Sequence, residues 1–248
     1  MTVEQFVADT LEVTKFLRQR FGQEKIYLMG HSWGSFIGVQ AAAQAPDYYH
    51  VYIGVGQLSQ QIHSEQLAYR YALAAYQAAG NTKMVRKLES APPSTTAPLP
   101  RNYEAIRDLY MHQIGIGTMR DMHSVITGLF FPSFEVKEYT LKEKLNFWRG
   151  KIFARSEEVN LWQEMLTVDM AQRVPRLEIP AYFFHGQYDY TCAYPLAQDY
   201  YDVLDAPLKG FYTLKNAAHT PIFEQPELAL RILQDDVLLG TTSLADSH

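Results

Sequence analysis

The sequence predicts an α/β protein: a mostly parallel sheet of about four strands, interrupted by an inserted block of helices. Three observations carry this. Short apolar runs alternate with helical patterns over residues 1–57, helical periodicity alone fills 58–173, and the strand–helix alternation resumes over 174–248. An insertion into a single sheet explains a pattern that stops and then restarts.

Residues 2–20 read as an amphipathic helix. Thr2 and Gln5 stand at capping-box spacing, and Val3, Phe6, Val7, Leu11, Val13, Phe16 and Leu17 approximate one face. Phe21-Gly22 ends it. The run 25–29, bounded by Lys25 and Met29, is short and apolar, as expected of a strand buried on both faces. Residues 35–45 are small and apolar, which suits a helix lying close on a sheet, and Pro46 follows. A second strand is expected over 50–56.

Two long helical patterns, 64–80 and 102–115, dominate the next block. They are separated by APPSTTAPLP, whose prolines exclude helix and favour an extended, exposed link. Thereafter 179–186 reads as a strand, 194–204 as a helix, 208–214 as a strand and 226–240 as a closing helix. The last eight residues, TTSLADSH, are expected to fray. No internal repeat is visible.

The composition narrows the class. The 248 residues are 47% hydrophobic and 20% charged, with a net charge of −5, which speaks against nucleic acid as a partner. No Lys/Arg block marks an anionic membrane surface, and no apolar run reaches the roughly 18–20 residues that span a bilayer. The opening MTVEQFVADTLEV lacks a basic and then apolar signal pattern, so a cytoplasmic location is expected. Cys192 is the single cysteine, which excludes an internal disulfide and a cysteine-rich metal site.

The chemistry centres on Gly30-His31-Ser32-Trp33-Gly34, a G-x-S-x-G between an expected strand and an expected helix. A serine hydroxyl is a weak nucleophile until a histidine takes its proton and a carboxylate fixes that histidine's tautomer. Glycines two positions either side of the serine leave room for the strained turn, and the partners follow in the order Ser, Asp or Glu, His. Asp189, in HGQYDY, follows the 179–186 strand, and His219, in KNAAHTP, follows the 208–214 strand. All three therefore fall at carboxyl ends of strands, where open α/β sheets bind ligands. Asp199, Asp202 and Asp205 are rival acids, but they sit in or after the next helix. His31 lies inside the turn, His185 precedes the acid's loop, His50, His63, His112 and His123 come before the acid, and His248 is in the tail. No histidine has metal-ligand spacing to another histidine or to the cysteine, so neither metal nor cofactor is expected.

Together GHSWGS, HGQYDYTCAYP and AAHTP resemble the α/β-hydrolase superfamily, and within it the proline iminopeptidase-like branch. Gln187 stands where that branch usually has Arg, and Ala193-Tyr194 separate Cys192 from Pro195. The resemblance implies Ser32 as nucleophile, His219 as general base and then acid, and Asp189 as its orienting carboxylate. It implies Trp33 N–H as one oxyanion donor, Gly30 and Gly34 as elbow glycines, and the helical block as a cap over the site. Cap carboxylates that hold a substrate's amino group in such enzymes could correspond to Glu135, Glu138, Glu157, Glu158 or Glu164, and no spacing selects among them. The cap's tyrosines and methionines, Tyr76, Tyr103, Tyr110 and Met111 among them, read first as helix packing.

The same resemblance implies further strands before the first helix, and an H-G-G-P-G loop giving a second oxyanion donor; neither occurs here. The 25–29 strand is therefore expected to present an unpaired edge. The expected consequences are a homo-oligomer paired through that edge, a rearranged first helix, or origin in a longer gene product. The expected function is a serine hydrolase of esters or amides, peptidase-like, acting on a small molecule or short peptide. The alternative is a non-catalytic relative serving in binding or assembly.

Overall fold

Four strands form one parallel sheet in the simple order β1-β2-β3-β4: β1 (Ile26–His31), β2 (Tyr49–Val55), β3 (Ala181–Gly186) and β4 (Lys209–Leu214). This is a computed structural model, and it describes residues 1–154, 156 and 159–247. Glu157, Glu158 and His248 lie outside the described residues. Each strand is within two or three residues of its sequence expectation. The connections are helical, as parallel pairing requires.

The first helix, α1 (Val3–Phe21), is capped at Thr2, whose hydroxyl accepts from Gln5 N–H, and it stops at Gly22 in the left-handed conformation, φ 60°. The second, α2 (Trp33–Gln44), joins β1 to β2 and starts two residues earlier than expected, directly after Ser32. The helical block follows β2: α3 (Gln61–Ala78), α4 (Thr82–Glu89), α5 (Arg101–Gln113), a π-helical turn over 126–130, α6 (Phe131–Glu135), α7 (Leu141–Phe153), α8 (Leu161–Thr167) and α9 (Met170–Arg173). After β3 come α10 (Tyr194–Val203), β4, α11 (Pro221–Glu224) and α12 (Pro226–Ile232).

Strand alternation sorts the sheet residues onto two cores. Tyr52, Phe183 and Phe211 face a cluster built with α1, α2 and α10, including Val7, Phe36 and Ala197. Ile53, Tyr182, Phe184, Tyr212 and Leu214 face the other side, against Ala229 and Ile232 of α12. A third cluster, with Ala72, Leu88, Tyr103, Tyr110 and Met111, holds α3, α4 and α5 together within the helical insertion. That agrees with the packing role read for Tyr76, Tyr103, Tyr110 and Met111. The proline-rich link is irregular, but Ala91 and Leu99 anchor its two ends in this cluster.

The tail corrects the sequence reading. It does not fray. Asp236, buried in the π-helical turn over Leu233–Val237 that follows α12, accepts from Ser243 N–H at 2.8 Å and Leu244 N–H at 2.8 Å. Asp246 then accepts from Thr213 N–H at 2.9 Å and donates its own N–H to Phe211 O at 2.9 Å. A polar octapeptide looks disposable in sequence, but a buried carboxylate and a free strand edge give it partners.

β1 is an edge strand, with Tyr27 44% and Met29 42% exposed. The first helix nevertheless packs on α2, with Phe6 edge-on to Trp33 at 6.0 Å. Among the described residues no helix is long and apolar enough to cross a membrane.

Candidate active site

Ser32 occupies the sharp turn between β1 and α2 with φ 55° and ψ −120°, a conformation rare for a residue with a side chain. The turn is held from several sides. Ser32 N–H donates to Val55 O at 3.0 Å, Ser35 Oγ donates to Ser32 O at 2.6 Å, and Leu58 N–H donates to Ser35 Oγ at 3.0 Å. Such strain persists only where the surroundings over-determine it. Gly30 makes the turn possible: a Cβ there would lie 2.3 Å from Gly34 O. Gly34 differs, since a Cβ on it would meet nothing within 4 Å. Only the first of the two elbow glycines leaves room in the way the motif suggests.

The residues separated by 157 and 187 positions from Ser32 meet it at the sheet's carboxyl edge. His219 Nε2 lies 2.7 Å from Ser32 Oγ, and its Nδ1 lies 2.9 Å from Asp189 Oδ2. The tautomer satisfying both has Nδ1–H donating to the carboxylate and Ser32 Oγ–H donating to Nε2. Asp189 is fully buried; its Oδ1 accepts from Thr191 N–H at 2.8 Å and Cys192 N–H at 2.9 Å. Burial pushes its pKa up, but His219 and His185 more than offset that and hold it well below the usual carboxylate range. Asp199, Asp202 and Asp205, the rival acids, form no contact with His219 among the described residues.

Sequence reasoning missed several neighbours of this site. His31 Nε2–H donates to the carbonyl of His219 at 2.8 Å, and the two rings lie 4.8 Å apart. Burial first, then the charge of His219, lower the His31 pKa to about 4, so it is neutral at pH 7. Gly56, just past β2 at φ 53°, lets His219 come close: a Cβ there would lie 3.0 Å from Nδ1. Glu224 accepts from Ala218 N–H and Arg120 N–H, each at 2.7 Å, tying the histidine's loop to the insertion. The segment GIGTMR, residues 115–120 in the helical insertion, also holds the histidine's backbone. Gly117 O and Thr118 O accept from His219 N–H and Thr220 N–H at 3.2 and 3.0 Å. These residues carried no pattern of their own; only their distance to His219 marks them.

The helical insertion also reaches the acid's loop. Gln61 Nε2 donates to Thr191 O at 2.9 Å and to Glu65 Oε1 at 2.7 Å, and Glu65 Oε2 pairs with Arg107 Nε at 2.5 Å. Glu65 and Arg107 are both buried, and Tyr103 OH donates to the same Glu65 oxygen at 2.8 Å. Beside Ser32 opens a mostly apolar cavity of about 350 Å³, walled by Trp33, Leu58, Leu161, Trp162 and Met165, with Arg107 on its wall. Glu164 lies instead beside Arg173, 3.8 Å away, and Glu135 and Glu138 are not among this cavity's described walls. Cys192 is buried, and burial pushes its thiol pKa well up, as befits a packing residue. Among the described residues no group of three or more His, Cys, Asp or Glu is placed to hold a metal.

A parallel sheet whose strained serine turn meets an acid and a histidine at its carboxyl edge defines an α/β-hydrolase fold. A family profile described as alpha/beta hydrolase fold matches residues 5–88. The Bacillus subtilis (strain 168) protein named "Probable aminopeptidase YbaC" is 26% identical over 230 residues, covering 92% of this chain and 70% of its own length. The solved proline iminopeptidase of Mycobacterium smegmatis superposes with TM-score 0.57 at 16% identity, covering 96% of this chain and 73% of the other. A thermophilic esterase from Thermogutta terrifontis does so with TM-score 0.54 at 17% identity, covering 98% and 74%. The chain has the α/β-hydrolase fold and is similar to proteins that carry peptidase and esterase names.

Proposed function

We propose that this chain is a serine hydrolase that cleaves an ester or amide bond through an acyl-enzyme on Ser32. The observation that carries the reading is the contact series from Ser32 Oγ to His219 Nε2, 2.7 Å, and from His219 Nδ1 to Asp189 Oδ2, 2.9 Å. In the proposed reaction Ser32 Oγ attacks the substrate carbonyl while its proton passes to His219 Nε2. Asp189, ionised throughout, holds the imidazolium. Trp33 N–H, in the first turn of α2 and so without an intrahelical carbonyl, faces the developing oxyanion. His219 then gives its proton to the leaving group, and water activated by the same nitrogen releases the acid.

The aminopeptidase name of the Bacillus relative and the iminopeptidase neighbour favour a short peptide with a small N-terminal residue as substrate. The helical insertion is assigned the role of a cap, because it walls the cavity beside Ser32. The proposed compartment is the cytoplasm, where a lone, buried, unpaired cysteine is ordinary. Pairing of two copies along the β1 edge is part of the same proposal, since Tyr27 and Met29 stand half-exposed there. Sedimentation should give a dimer mass, and a monomer would remove that part.

Fluorophosphonate labelling tests the function itself. The protein should be labelled, Ser32→Ala should not, and aminoacyl p-nitroanilides should be turned over alongside p-nitrophenyl esters. A folded protein that takes no label and turns over neither substrate would overturn the reading.

A further inference from the structure

The acid of the site is served by two histidines. His185, on β3 four residues before Asp189, is fully buried. Its Nε2 lies 2.8 Å from Cys192 O and 3.2 Å from Asp189 Oδ2. Its Nδ1 is buried and has no hydrogen-bond partner among the described residues, so the proton belongs on Nε2, shared between the two oxygens. The ring cannot turn away easily: Phe211 stacks on it at 6.1 Å with planes 16° apart, and Tyr194 meets it edge-on at 5.8 Å.

Asp189 Oδ1 is already satisfied by two backbone N–H groups, whereas Oδ2 faces His219. His185 is therefore a second donor to the oxygen that His219 uses. It also ties Cys192 O, and with it the loop whose N–H groups hold Oδ1, to the end of β3. A purely apolar core position would need neither. We infer that His185 is a positioning residue for the proposed hydrolysis, fixing the direction and moderating the basicity of the Asp189 carboxylate that His219 leans on. This inference rests on the reading of Ser32, His219 and Asp189 given above.

Donors on a carboxylate spread its charge. Without His185, Oδ2 becomes more basic and favours the imidazolium form of His219, so His219 should titrate at higher pH. The other ionisable groups around the pair are His31, its ring tilted against that of His219 at 4.8 Å, the Cys192 thiol, the Tyr194 phenol bonded to Thr213, and the Glu65–Arg107 pair. None is altered by the substitutions proposed here.

The test compares His185→Phe, which keeps a ring between Phe211 and Tyr194, with His185→Gln, which restores a donor near the Nε2 position. In His185→Phe, kcat should fall about 10- to 100-fold with KM within about twofold, as expected for losing a hydrogen bond to a charged group. The acid limb of kcat/KM and the His219 titration followed by NMR should both move to higher pH. In His185→Gln all three should return towards wild type. Wild-type kcat and an unmoved His219 titration in His185→Phe would overturn the inference, as would a loss that His185→Gln does not rescue. The NMR titration needs no turnover. A wild-type protein without hydrolysis whose His219 still shifts in His185→Phe would overturn the hydrolase reading and leave the positioning role standing.

Discussion

His31 Nε2 sits 2.8 Å from the backbone oxygen of His219, so the residue beside the nucleophile pins the residue that would activate it. This contact has a pH signature. The His31 pKa is lowered from 6.5 to about 4, so the folded state favours the neutral ring and the unfolded chain takes up the proton first. Stability from this group is complete above about pH 6.5 and is lost as pH falls towards 4, on the order of 2–3 kcal/mol in all. Urea unfolding at pH 7.5 and 4.5 should show that loss, and His31→Gln should remove most of the difference between the two pH values.

Gly30 and Gly34 should part company on substitution. Gly30→Ala drives a methyl into Gly34 O and should destabilise by about 2 kcal/mol or more, with loss of Ser32 labelling. Gly34→Ala places its methyl in open space inside α2, where alanine favours helix by about 0.8–1 kcal/mol. Thermal melts of both variants decide the matter; an equal loss in the two would contradict the geometry.

Gly56→Ala acts on His219 rather than on Ser32. The added methyl would come within about 3 Å of the imidazole at a backbone angle that disfavours side chains. Displacement of the ring by a fraction of an ångström to about 1 Å should lower kcat by about 100-fold. Steady-state kinetics together with circular dichroism would separate this from unfolding.

Glu65→Ala would leave the Arg107 guanidinium buried with its closest partner gone. Burial opposes the charge on Arg107, but Glu65 beside it more than compensates and holds the pKa above its ordinary value. Removing one member of a buried pair typically costs about 3–5 kcal/mol. The Tm should fall sharply in Glu65→Ala, and less in the double variant Glu65→Leu/Arg107→Met, where no charge is stranded.

Strands and helices were legible because each is written in local periodicity. Tyr182 and Phe183 point to opposite cores, as alternation requires, and Gly22 closes α1 where an αL residue is needed. The positions of Ser32, Asp189 and His219 at strand ends were legible for the same reason. The tail was misread because its partners, Asp236 and the edge of β4, come from elsewhere in the chain. His185 and Gly117 were passed over because neither motif nor spacing joins them to Asp189 or His219.

The sequence by itself determined the order of elements, the parallel sheet and which three side chains stand at its carboxyl edge, because periodicity and turn chemistry act over a few residues. Only the tertiary structure decided what holds those side chains. It placed His31 on His219, His185 on Asp189, Gly56 beneath the imidazole and the insertion's carbonyls against the histidine's backbone. Such contacts are set by how distant elements pack, and hydrogen bonds of about 3 Å leave no trace in the local order of residues.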